Sequence, residues 1–450
     1  MPVKRRVAVI GAGISGLGAA RALSRHSTVT LYEAAPRCGG HAHTVDITLD
    51  GIRHGVDTGF LVLNERTYPE LLRLFAELDI ELAKSEMSFS VQVPDAGLEW
   101  SGSNVDSVFA QRGNLLRPAF LRMLADLRRF NRHATALAEG GSTRGAPATE
   151  TMTIGEFLDR ERYSQAFRDW YFLPMIGSIW SCPTDQMLRF PVATMLRFCH
   201  NHGLLQVTDR PQWYTVRGGS RRYVERIVEG LDDVRTATPV HHVRRGANIR
   251  AGGGVEVCTD AGTERYDDVV FACHSNQALA LLDDPRPEEQ KILGAIRYQR
   301  NRAVLHTDAS VLPTRGRAWA AWNYERAAEG ARERALVCLH YLINRLQPLP
   351  FTTPVVVSLN PLAEPRADQV HGDYDYEHPV FDAAAIDAQQ RLPALQGVDR
   401  TWYCGAWTRY GFHEDGLMSG LAVAAGIAAR DRDMNREAAA RELSPALLPA

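Results

Sequence analysis

"VAVIGAGISGLGAARAL", residues 7–23, decides how the rest of the chain is to be read. Val7 to Ile10 is a short apolar run of the kind a central parallel strand needs, and Gly11, Gly13 and Gly16 follow it at GxGxxG spacing. Each glycine has a separate task. Gly11 permits a tight turn, Gly13 lets the backbone approach a pyrophosphate, and Gly16 lets the following helix pack on the strand, with the helix N-terminus offering free N–H groups to phosphate. Lys4, Arg5 and Arg6 ahead of an apolar run ending in "ARA" also have the outline of a secretory leader. The glycine spacing decides for strand, turn and helix. "TVTLYE" (28–33) then supplies a second strand ending in Glu33, placed to accept hydrogen bonds from a ribose 2′-hydroxyl. Its charge would repel a 2′-phosphate and so argues against NADP, while NAD and FAD both stay open at this point.

The composition suits a globular enzyme of two domains: 450 residues, 45% hydrophobic and 23% charged. A formal charge of -2 gives no overall basic field for nucleic acid. Of 51 basic residues only Lys4, Lys84 and Lys291 are lysines. The seven cysteines are odd in number, widely spaced and never in a CxxC pair, which suits a reduced, cytoplasmic protein. No apolar run is long enough for a transmembrane helix.

The residues after Glu33 separate the two cofactors. "EAAPRCGG" (33–40) resembles the second FAD fingerprint, EAxxRxGG, of the flavin-dependent amine oxidase superfamily. Arg37, Gly39 and Gly40 match it, whereas His41 stands where that family commonly has arginine. "ATPVHHV" (237–243) is similar to the strand whose backbone meets adenine, and "YDDVVFACH" (266–274) to the strand that returns to the nucleotide domain. "YCGAWTRYGFHEDGLMSGLAVA" (403–424) is similar to the superfamily's C-terminal flavin segment. "VDTGFLVLNERTYPELLRLFAEL", "WNYER", "HYLINRLQPL" and "HPVFD" narrow the resemblance to a bacterial branch of predicted oxidoreductases related to flavin-dependent fatty-acid desaturases and double-bond isomerases.

The resemblance implies an α/β fold: a Rossmann-like FAD-binding domain with an inserted α+β substrate domain. It implies a discontinuous nucleotide domain of residues 1–65, 215–285 and 395–430, with substrate-binding segments 66–214 and 286–394 and a C-terminal helix and tail over 431–450. FAD contacts carried over by position are Gly11, Gly13, Ile14, Ser15, Gly16, Glu33, Ala34, Arg37, Gly39, Gly40, His41, Thr58, Gly59, Val240, Gly405, Glu414, Asp415, Gly416, Leu417 and Ser419. The helix beginning near Gly416 would aim its positive end at the flavin, with Asp415 as its cap. "AEGGSTRGAPATET" (138–151) reads as a loop, and "RGANIRAGGGVEV" (245–257) as a turn between strands.

Amine oxidases of the superfamily commonly hold a lysine, through a water, close to flavin N5. The corresponding stretch here, "AIRYQRNRAVLHTD" (295–308), has none, and Arg300 or Arg302 in its place would stay protonated. His413 is the catalytic candidate, because an unperturbed imidazole titrates near working pH; it either moves a proton or only orients Glu414. Trp322, Tyr324 and Tyr341 either wall the pocket or belong to the core. His41, His43 and His54 lack a carboxylate or cysteine at ligand spacing, so no metal is expected of them. Residues 112–137 carry six arginines and one acid among leucines and phenylalanines. Such a helix can lie on an anionic bilayer, giving peripheral contact at the inner face of a membrane, or pack on the substrate domain with its arginines in water. The expected partner is a small-molecule substrate, a fatty acyl lipid, with amine or amino-acid oxidation the competing activity and a flavin-containing lipid-binding subunit the non-enzymatic one.

Overall fold

The structure is a computed structural model and describes residues 4–139, 152–206, 210–245, 254–327 and 336–442. Two compact units are each assembled from separated segments: Met1–Gly40, Val224–Ala295 and Ala388–Ala450 form one, His41–Tyr223 and Ile296–Asp387 the other.

The first unit is built on a five-stranded sheet in the order Asp233–Arg235, Thr28–Tyr32, Arg6–Ile10, Asp268–Phe271, Thr401–Tyr403, with every neighbouring pair parallel. Parallel strands need crossovers that cover the sheet faces, and the inner strands are accordingly apolar and buried along their length, from Val7 to Ile10 and from Val269 to Phe271. Helix Ile14–Leu23 follows the central strand, and the long helix His413–Glu442 packs against it. An antiparallel three-stranded sheet, Val240–Arg245, Val255–Thr259 and Gly262–Tyr266, completes the unit. The last residue of its first strand, Arg245, is buried with Glu289, which also takes hydrogen bonds from Arg286 and the Tyr403 hydroxyl.

The second unit centres on a seven-stranded sheet in the order Val370–Val380, Arg297–His306, Val356–Leu359, Cys338–Leu342, Trp322–Glu325, Phe89–Val93, Leu98–Ser101. All its pairs are antiparallel except Trp322–Glu325 with Phe89–Val93. Helix Pro118–Glu139 buries Phe120, Met123, Phe130 and Ala134, and the Phe130 ring meets Tyr163, Phe167 and Phe172.

Three features differ from the spacing-based expectations. The N-terminal segment of the first unit ends at Gly40 rather than near 65, because the hairpin Thr44–Leu49/Ile52–Asp57 belongs to the second. Asp57 ties it there, accepting hydrogen bonds from Thr44, Ser220 and Gln347. The amphipathic stretch 112–137 is not one helix: Arg112–Leu116 is a 3-10 turn, Arg117 is extended, and the α-helix starts at Pro118 and runs to Glu139. Proline disfavours helical backbone in the residue before it and is at home in a first helical turn. The C-terminal helix runs through 431 without a break as far as Glu442, so no separate element begins there. Residues 140–151 and 246–253 of the two expected loops, and the last eight of the tail, lie outside the described residues.

Candidate functional site

In the first unit the glycine-rich turn leaves the central strand at Gly11, whose φ of 102° and whose N–H, donated to the Tyr32 carbonyl at 2.8 Å, bend the chain sharply. A Cβ there would press on the Ala272 carbonyl oxygen at 2.8 Å, and one at Gly16 would stand 1.9 Å from the Gly11 oxygen, so both positions are closed to side chains. Gly13 is different. It caps helix Ile14–Leu23 without any side-chain hydrogen bond, and a Cβ built on it meets nothing within 4 Å. The first-turn N–H groups of Ile14, Ser15 and Gly16 thus begin a helix that no side chain caps, the arrangement that binds an anion.

The second glycine pair folds onto the same turn. Gly39 bridges to Gly13 and donates its N–H to the Ala12 carbonyl at 2.7 Å, while Gly40 approaches Gly13 so closely that a Cβ would lie 3.2 Å from its Cα. Glu33 is half-buried between them, one carboxylate oxygen accepting the Ala12 N–H at 2.7 Å and the other the Ala35 N–H at 2.9 Å. Each oxygen keeps a further lone pair for a ligand. Backbone bonds from Ala237 and Thr238 to the carbonyls of Ala35 and Glu33 bring the start of strand Val240–Arg245 beside this carboxylate. Ala34 is exposed at the surface of the same turn, and Arg37 reaches back to the Gly40 carbonyl at 3.0 Å.

The C-terminal segment approaches from the other side. Gly405 donates its N–H to the Ser419 hydroxyl at 2.9 Å, and that hydroxyl bonds the Gly416 carbonyl at 2.7 Å. Gly416 faces Ile14 and Gly420 faces the Ser15 carbonyl, while Leu417 packs on Gly18, so the first turns of helices Ile14–Leu23 and His413–Glu442 lie side by side. Asp415 caps the second helix by accepting the Phe412 N–H at 3.0 Å. Burial pushes its carboxyl up to about 6, against the pull of backbone N–H groups and Arg409. Glu414 is buried next to it. Burial pushes the His413 imidazole down to about 3, so it is neutral at working pH and does not titrate there as an unperturbed histidine would.

His41, Thr58 and Gly59 belong to the second unit. Gly59 lies against the His41 carbonyl, where a Cβ would stand at 2.3 Å. The Thr58 hydroxyl is 2.7 Å from the Tyr376 hydroxyl, which is 3.0 Å from His43 Nδ1. The His41 ring packs against Tyr376 and His378, with centroids at 4.9 and 5.2 Å, and Asn301 bonds His378 Nδ1 at 2.9 Å. Tyr376, His378 and Asn301 enter this polar cluster through strand register, as neighbours on Arg297–His306 and Val370–Val380. Of the three, only His378 lies in a motif that the sequence marked, "HPVFD" (378–382). His54 instead bonds the Gly55 carbonyl and faces Phe351. Arg300 and Arg302 point to acids, Asp375 for the former and Asp373 with Glu364 for the latter. Trp322 and Tyr341 pack edge to face, and Tyr324 lines a small cavity on the same sheet.

An uncapped helix start with open space before it, a glycine pair folded onto that turn, a carboxylate beside it and a second helix start alongside suit a dinucleotide with a redox ring. The chain belongs to the flavin containing amine oxidoreductase family, which it matches over residues 14–321. It is similar to a carotenoid phi-ring synthase of Streptomyces griseus, 31% identical over 69% of this chain and 59% of that one. It is also similar to a putative flavin-containing monoamine oxidase, AofH, of Mycobacterium tuberculosis, 25% identical over 64% of this chain and 61% of that one. The matched stretch therefore spans about three fifths of each of these relatives. In fold it resembles a fatty acid isomerase from P. acnes with a TM-score of 0.62, covering 94% of this chain and 98% of that one at 13% identity. Among the described residues no helix is long and apolar enough to cross a membrane.

Proposed function

We propose that this protein is an FAD-dependent oxidoreductase that takes a hydride from a C–H bond of a fatty acyl chain or related lipid, in desaturation or double-bond isomerisation. The observation that carries the lipid reading is the placement of basic side chains. All three lysines are exposed, Lys291 paired with Glu288, and strand Arg297–His306, where related amine oxidases hold their lysine, has only arginines and one histidine as basic groups. Arg300 and Arg302 are committed to acids, and a guanidinium cannot accept a proton near neutral pH.

FAD supplies the hydride acceptor. Gly11, Gly13, Ile14, Ser15, Gly16, Gly39, Gly40 and Arg37 would hold its pyrophosphate, Glu33 and Ala34 the ribose, and Val240 the adenine side. Gly405, Glu414, Asp415, Gly416, Leu417 and Ser419 would face the flavin, with His41, Thr58 and Gly59 as further contacts. His413 acts there as a neutral hydrogen-bonding group rather than a titrating base. The relative named as a carotenoid phi-ring synthase supports a hydrocarbon substrate. The monoamine oxidase relative supports amine or amino-acid oxidation as the second reading.

The segment 105–121 supports contact of the second unit with a membrane that holds such a lipid. Val105, Leu115, Leu116 and Leu121 are 77%, 51%, 89% and 43% exposed, with Arg112, Arg122 and Arg128 exposed around them.

Mixing the oxidised protein anaerobically with fatty acids and with short amines tests the reading, followed by flavin absorbance and by mass spectrometry of the lipid. An acyl chain should bleach the flavin or emerge with its double bond moved. Bleaching by an amine alone would establish the second reading. A flavin that no substrate bleaches, with no lipid altered, would make the chain a lipid-binding subunit.

A further inference from the structure

Away from the glycine-rich turn, strands Trp322–Glu325 and Cys338–Leu342 bring together three side chains of different chemistry. Glu325 and Cys338 are direct cross-strand partners, and His340 lies two residues beyond Cys338 on the same face. His340 Nε2 is 3.1 Å from Glu325 Oε2 and 3.4 Å from Cys338 Sγ, and the sulfur is 3.9 Å from the same carboxylate oxygen. Among the described residues this is the one group of three histidine, cysteine or acidic side chains whose donor atoms converge. Cys338 and His340 are 1% exposed and Glu325 is partly exposed.

We propose that Glu325, Cys338 and His340 bind a borderline-soft divalent cation of the zinc class, with water as the fourth ligand. Bond lengths of about 2.3 Å to sulfur and about 2.0 Å to nitrogen and oxygen give a tetrahedron whose edges are about 3.3–3.6 Å. The three observed separations are within a few tenths of an ångström of those edges, so the metal fits with side-chain adjustment alone. The donor set selects the ion: a thiolate and an imidazole favour zinc or cobalt over magnesium or calcium, which prefer oxygen. The charges also close, since a divalent cation with one thiolate, one carboxylate and a neutral imidazole makes a neutral centre, the form a buried site tolerates best. Glu325 is the one partly exposed donor of the three, so water reaches the fourth position from its side.

The surroundings are those of an oriented ligand. Ser358 Oγ sits 2.7 Å from His340 Nδ1 and 2.7 Å from His306 Nε2. The Asp308 N–H donates to His306 Nδ1, so that ring carries its proton on Nε2 and donates to Ser358. The hydroxyl has two lone pairs and can accept an N–H from both rings, which leaves the His340 Nε2 lone pair facing Glu325 and Cys338. The Leu362 backbone N–H points at the sulfur and favours its anionic form, while burial and the Glu325 charge hold the metal-free thiol protonated. Binding therefore exchanges one proton for the cation: the thiol proton leaves to solvent, the S–metal bond forms, and His340, with its proton on Nδ1, gives its Nε2 lone pair to the metal. No oxidation state changes.

The test uses the untagged, flavin-loaded chain. After incubation with a small excess of zinc and gel filtration, elemental analysis should find one zinc per chain. Cobalt should give ligand-field bands to the red of flavin absorption together with thiolate-to-cobalt charge transfer. Cys338→Ser and His340→Gln should each weaken zinc binding by about 100-fold or more while the flavin is retained, whereas Cys182→Ser, a buried thiol elsewhere, should leave zinc in place. The wild-type measurement stands without the variants. Zinc that washes off the wild type, or cobalt bands without thiolate charge transfer, would reduce the cluster to a hydrogen-bonded polar core and overturn the proposal. So would unchanged zinc content in a folded Cys338→Ser protein.

Discussion

At the scale of single residues, Glu33 and Glu289 show one residue type in two different roles within the first unit. Glu33 sits beside the glycine-rich turn, at the proposed ribose contact, where its two oxygens already organise the Ala12 and Ala35 N–H groups. Glu33→Ala should therefore remove ribose contacts and loosen the turn together, weakening FAD binding by about 1–3 kcal/mol. Fluorescence of released FAD during titration measures this; an unchanged dissociation constant in a folded variant would contradict it. Glu289 is buried instead. Burial alone would raise its pKa, but hydrogen bonds from Arg245, Arg286 and Tyr403 outweigh it and hold the carboxyl down at about 2. An unfolded glutamate titrates near 4.3, so the pair contributes stability that is present above about pH 4 and is lost as pH falls through about 2, an offset on the order of 3 kcal/mol. Glu289→Gln should cost about 3–5 kcal/mol at neutral pH, because Arg245 stays buried without its counter-charge. Thermal melts should show the gap between wild type and variant narrowing between pH 4 and 2. Parallel melting curves across that range would rule out the assignment.

At the scale of elements, the site of the first unit depends on how closely two helices approach. A Cβ at Gly18 would meet the flexible end of Leu417, but at Gly420 it would stand 2.2 Å from the Ser15 carbonyl oxygen, a backbone atom that cannot turn aside. Gly420→Ala should force the two helix starts apart, costing about 1–3 kcal/mol and weakening FAD retention. Gly316→Ala, where a Cβ meets nothing within 4 Å, should change neither. Equal flavin retention in both variants would show that the helix contact does not shape the site. The glycine-rich turn, the Glu33 carboxylate and the start of helix His413–Glu442 were legible in the sequence because each is set by spacing within a few residues. Gly18 and Gly420 were not, since their role depends on a neighbour about 400 positions away. The cluster of Tyr376, His378 and Asn301 and the Glu325, Cys338 and His340 group escaped for the same reason: cross-strand register assembles them, and register is invisible along one strand. The titration expected of His413 was not legible, because burial and not residue type sets it. The boundary at Pro118 was legible and was overrun by the apolar periodicity on both sides of it.

At the scale of the whole molecule, a chain of net charge -2 still presents a basic and apolar surface among its described residues, one that a bilayer could cover. The inward face of helix Pro118–Glu139 is used up in packing, and not all the arginines of 112–137 are available: Arg129 stacks on Tyr163 and bonds the Glu161 carbonyl, and Arg117, just ahead of the helix, stacks on Trp170. Arg128 and Arg132 lie on the exposed stripe with Leu121 and Ala125, and Leu115 and Leu116 project from the turn ahead of it. Docking would then combine burial of these leucines with about 1 kcal/mol for each arginine near an anionic surface. Vesicles rich in anionic lipid should sediment the protein at low salt, salt should release it, and neutral vesicles should bind poorly. Arg128→Gln with Arg132→Gln should weaken binding by about 30-fold at that value per charge, and Leu116→Glu should weaken it without altering the flavin spectrum. Protein that stays in the supernatant with anionic vesicles at low salt would leave the leucines as solvated surface, and the enzyme would then have to take its substrate from solution.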